Sequence, residues 1–67
     1  PAEALAYEVG ALRLLALRER ARQELGNRFR LASFHDAVLA AGSIPIDLLE
    51  ERINRWIAAE RATATVR

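Results

Sequence analysis

The sequence contains no cysteine, no methionine and no lysine, and it has only one histidine, one tryptophan, one tyrosine and two phenylalanines in 67 residues. Without cysteine no disulfide can staple the chain, and a lone histidine cannot build a self-contained structural zinc site, which takes four ligands. A domain this short buries only about 60% of its unfolded surface, so its stability must come from helix packing or from further polypeptide. No stretch approaches the roughly 18 to 20 unbroken apolar residues of a membrane span, and no basic segment, apolar core and small-residue cleavage site open the chain. These absences predict a soluble piece with no membrane partner and no targeting segment. Ten basic residues against nine acidic ones leave a formal charge of +1, which gives little ground for a nucleic-acid partner.

What is present is helix-forming sequence. Residues 1–25 read as one long helix: Pro1 suits a first helical position, Glu3 favours the positive end of the dipole, and Gly26 is placed for a left-handed stop. Stepping about 100° per residue, Leu5, Val9, Leu12 and Ala16 fall on one face. Tyr7, Gly10, Leu14, Leu17, Ala21 and Leu25 fall on a broad second face, and Ala4, Ala11 and Leu15 fill the gap between them. Before Arg18 only Glu3, Glu8 and Arg13 carry charge. The first two-thirds are thus apolar on nearly every side, the mark of a helix buried in something larger. From Arg18 onward charge dominates, so the front half reads as core and the back half as surface.

Residues 27–30 form a connector. Leu31, Phe34, Val38 and Ala41 then repeat at three- and four-residue steps through a second helix, about residues 32–41, closed by Gly42. Pro45 signals the start of a third helix, about residues 46–60, with Asp47, Glu50 and Glu51 loaded into its opening turns where the dipole favours anions. Its apolar stripe is Ile46, Leu49, Ile53, Trp56 and Ile57, with Glu51 and Arg55 spaced as an i, i+4 pair. Residues 62–67, with two threonines and no periodicity, are expected to fray. The fold class is therefore all-α: one long N-terminal helix followed by a shorter helical hairpin, with residues 1–61 forming a helical segment of a larger domain. All ten basic residues are arginine and alanine is the commonest residue, which is the bias of a GC-rich gene and says nothing of function.

Few residues could carry chemistry. His35 alone has an ordinary pKa near neutrality. Its neighbour Asp36 points about 100° away around the helix, so the two form no dyad by themselves, and metal ligation would require at least two more ligands. A helix-terminal or packing role is its plainer reading. Tyr7 sits in the apolar half of helix one, three residues before Gly10 and on the same face. A neutral phenol there either satisfies itself within a core or donates a hydrogen bond to an oxyanion. Gly10 costs about 1 kcal/mol relative to alanine inside a helix, which is explained either by simple tolerance or by close approach of a helix or substrate. The clustered acids Asp47, Glu50 and Glu51 are accounted for by the helix start. No nucleophile elbow, phosphate cradle or HExxH segment occurs.

Four strings occur in order: Pro1-Ala2-Glu3-Ala4-Leu5-Ala6-Tyr7-Glu8-Val9-Gly10, Leu25-Gly26-Asn27-Arg28-Phe29, Phe34-His35-Asp36-Ala37-Val38-Leu39, and Gly42-Ser43-Ile44-Pro45-Ile46-Asp47-Leu48-Leu49-Glu50. Together, and on to about Trp56-Ile57-Ala58, the chain resembles the extreme C-terminus of the large, mostly helical bacterial family known as domain of unknown function eight-eight-five. Arg30 departs from that pattern, standing where the family often has an acidic residue, and would weaken the cap of helix two. Members of the family look like zinc metallopeptidases, with an HExxPGH-type helix further upstream supplying two histidine ligands and a general base. The resemblance implies a C-terminal piece of a zinc-dependent hydrolase, inactive alone, holding no cofactor itself and partnered by the remainder of its polypeptide. It also implies that helix one passes near the metal site, making Tyr7 a candidate transition-state donor and Gly10 a candidate close-approach position. The competing class is an autonomous interaction module whose apolar surface docks on a partner chain or self-associates.

Overall fold

Three helices and one short turn make up the chain in the computed structural model, which describes residues 2–66 and leaves aside the side chains of residues 2–4, 6, 7 and 64–66. Helix α1 spans Ala2–Leu25, a 3-10 turn covers Gly26–Arg28, α2 spans Leu31–Ala41 and α3 spans Ile46–Val66. No strand occurs among the described residues, and the all-α class holds.

Glycine makes both corners. Gly26 ends α1 with φ +59°, the left-handed conformation in which a Cβ would be strained, and the Phe29 N–H donates to its carbonyl at 3.1 Å. Gly42 ends α2 with φ +76° and ψ −158°, a region that glycine alone adopts readily, and its N–H donates to the Leu39 carbonyl at 3.1 Å. At the other end of α2, Arg30 occupies the cap in an extended conformation and makes no side-chain capping bond, as an arginine at that position implies. The Leu49 N–H closes the first turn of α3 on the Pro45 carbonyl at 3.0 Å.

The direction of the helices follows from two ion pairs. Arg13 on α1 meets Asp47 and Glu50 at the start of α3, whereas Glu24 near the end of α1 meets Arg61 late in α3. Helices α1 and α3 therefore run parallel, with α2 returning the chain between them. The lengths agree. Eleven residues of α2 climb about 16 Å, nearly the rise of α1 from Arg13 to Leu25.

That geometry decides which half of α1 is packed. Leu17, Ala21 and Leu25 are buried against Phe34 of α2 and Leu49, Ile53 and Ile57 of α3, with Leu14, Phe29, Val38 and Trp56 among the half-buried side chains at the rim. Phe34 is the centre of an aromatic group, with the Trp56 ring edge-on at 6.0 Å and the Phe29 ring tilted at 6.2 Å. Trp56 is thus a half-buried flank rather than the core anchor its stripe suggests. The stripe of α3 is otherwise as expected.

The two halves of α1 differ in what this chain provides for them. The back half is a surface helix with one buried seam, Leu17, Ala21 and Leu25, as its charge pattern suggests, while Leu5 (65% exposed), Val9 and Leu12 (66% exposed) of the apolar front half are left uncovered by the rest of the described residues. The reason is reach: α3 begins at the level of Arg13, so neither α2 nor α3 runs alongside residues 2–12 among the described residues, and this stretch is about 16 Å long. The molecule is accordingly long, 49 × 19 × 17 Å with a radius of gyration of 13.0 Å, against roughly 11 Å for a compact chain of this size.

Two smaller expectations are corrected. Leu31, assigned to the stripe of α2, is 45% exposed, because the helix begins there, beyond the aromatic group. Glu51 and Arg55 are exposed and do not pair among the described residues, since an i, i+4 spacing on a solvated face gains too little to hold two long side chains together. Helix α3 runs as far as Val66, and the Thr63 hydroxyl donates to the Ala59 carbonyl at 2.9 Å; Arg67 lies outside the described residues.

Candidate functional site

The overhanging half of α1 is the surface where the candidate residues concentrate. By helical register, Leu5, Val9, Leu12 and Ala16 lie roughly opposite the seam of Leu14, Leu17, Ala21 and Leu25. One stripe is packed on α2 and α3, and the other is bare. A helix with two apolar faces on opposite sides is shaped to lie between two layers, and this chain supplies one of them.

Gly10 lies on the overhang, and a Cβ built there would meet no heavy atom within 4 Å. No described side chain of the chain approaches it closely. The Tyr7 backbone belongs to the same overhang, while its side chain lies outside the described residues. His35 is in the first turns of α2, exposed, with its ring 6.0 Å from that of Phe34. It lies within the bundle, whereas Gly10 and the Tyr7 backbone lie on the overhang, so His35 is on a different part of the chain from the other two.

The strongest electrostatic feature lies where the overhang meets the bundle. Arg13 Nε donates to Glu50 Oε2 at 3.2 Å, and its Nη2 lies 2.9 Å from Glu50 Oε1 and 2.5 Å from Asp47 Oδ1. Hydrogen bonding to Glu50 and then to Asp47 raises the guanidinium pKa still further above its ordinary value. Asp47 and Glu50, expected to serve the helix start, therefore also clasp α1. Only the isolation of Arg13 in an apolar stretch could have hinted at this, and its partners are 34 and 37 residues away. A second feature is local to α1: Arg22 grips Glu19, lowering the Glu19 carboxyl below its ordinary value of 4.5 chiefly through that hydrogen bond.

Among the described residues no three His, Cys, Asp or Glu side chains come together to hold a metal ion. Asp47 and Glu50, one turn apart on α3, are both paired with Arg13. No helix among the described residues is long and apolar enough to cross a membrane.

Fold and site together define an all-α helical module with a bare apolar face and no self-sufficient catalytic constellation among the described residues. The chain belongs to the family described as "Bacterial protein of unknown function (DUF885)", whose model matches residues 1–53. The match takes in α1, α2 and the opening turns of α3, and it stops short of the Trp56-Ile57-Ala58 stretch to which the resemblance had been drawn. No match was found among curated proteins or among solved structures.

Proposed function

We propose that this chain is a C-terminal helical segment of a bacterial zinc-dependent peptidase or related hydrolase, inactive alone, whose α1 inserts into the rest of the polypeptide and completes its core. The observation that carries this reading is the bare stripe Leu5, Val9 and Leu12 opposite a seam that is already packed. Magnitudes favour a tethered neighbour over a separate one. Fully burying four such side chains, Leu15 included, is worth about 6–12 kcal/mol. Since each is already partly covered, about 3–7 kcal/mol remains to be gained, no more than the roughly 4–15 kcal/mol that free association costs. Covalent connection removes most of that cost.

In this reading the zinc is held by residues elsewhere in the polypeptide. Tyr7 donates a hydrogen bond to the anionic oxygen of the transition state, and Gly10 leaves room for substrate or a neighbouring helix.

The test uses the complete reading frame that encodes the chain, compared with the 67-residue piece. In the complete protein, hydrogen exchange at residues 5–12 should be strongly slowed and a zinc-dependent peptidase assay positive. Tyr7→Phe should lower kcat by about 10² to 10³, as for other oxyanion donors. Unchanged exchange at residues 5–12 would refute the insertion, and unchanged kcat would refute the role of Tyr7. Slowed exchange in the isolated piece that depends on its concentration would instead identify a self-associating interaction module.

A further inference from the structure

We draw no further inference here: the strongest candidate, the apolar surface patch of Leu5, Val9 and Leu12 on the overhanging half of α1, already belongs to the proposed function, and nothing in the structure shows what else would cover it.

Discussion

Arg13 on α1 and Glu50 on α3 are joined side-on, Nε to Oε2 at 3.2 Å and Nη2 to Oε1 at 2.9 Å, across 37 residues of sequence. Two-point contact fixes the rotation of α1 about its own axis as well as its distance from α3. That rotation decides which apolar stripe faces the bundle.

Reversing one charge of this pair should therefore hurt more than deleting it. Arg13→Glu is expected to lower the urea midpoint of the isolated chain below that of Arg13→Ala, and the swap Arg13→Glu with Glu50→Arg should recover part of the loss. Because the pair is partly solvated, about 1 M salt should shrink the difference. A swap no more stable than the single reversal would show that the clasp has no energetic coupling.

Phe34 and Ala21 test the core from opposite directions. Phe34 is 1% exposed and Ala21 fully buried. Phe34→Ala should cost about 3–5 kcal/mol through the cavity it leaves, enough to unfold a domain this small. Ala21→Leu should cost about 1–3 kcal/mol by pushing α1 away from its neighbours. Thermal melts by circular dichroism would read both, and a neutral Ala21→Leu would contradict the close packing of the seam.

The glycines should divide by backbone and surroundings. Gly42→Ala forces a side chain into a strained conformation and should cost about 1–3 kcal/mol. Gly10→Ala meets open space and should firm the overhang by about 1 kcal/mol, seen as slower hydrogen exchange at residues 5–12 of the isolated piece. In the complete protein the same substitution should lower stability or activity if a neighbour approaches Gly10 closely.

Acid should loosen α1 through Glu19. Its folded pKa lies below the ordinary value of 4.5, so the pair with Arg22 stabilises the folded chain above that value and is lost as pH falls through the folded one. The effect is small for so exposed a pair. Glu19→Gln should flatten the acid limb of stability against pH. An unaltered limb would mean that the pair is equally formed in the unfolded chain.

Three helices, their glycine stops and the stripe of α3 were legible because each is local, a matter of 3.6-residue periodicity and capping within a few turns. Which part of α1 this chain itself would cover was not. Composition marks residues 5–15 as core and residues 18–25 as surface, yet burial goes to Leu17, Ala21 and Leu25 because α2 is too short to carry α3 back past Arg13. That depends on the length of one helix relative to another and on a pairing 34 residues apart. Of the candidate site, sequence supplied Tyr7, Gly10 and His35 as separate residues. Only the fold shows that His35 belongs to the bundle and the other two to the overhang.

The parallel course of α1 and α3 also governs the order in which the chain can fold as it is made. The seam on α1 lacks its α3 cover, Leu49, Ile53 and Ile57, until those residues have been synthesised, and closing so long a loop is slow compared with forming either helix. The hairpin of α2 and α3 is thus expected to assemble first and capture α1 afterwards. Until then the seam of Leu17, Ala21 and Leu25 is open to water, which makes the nascent helix a natural target for chaperones that hold exposed apolar sequence.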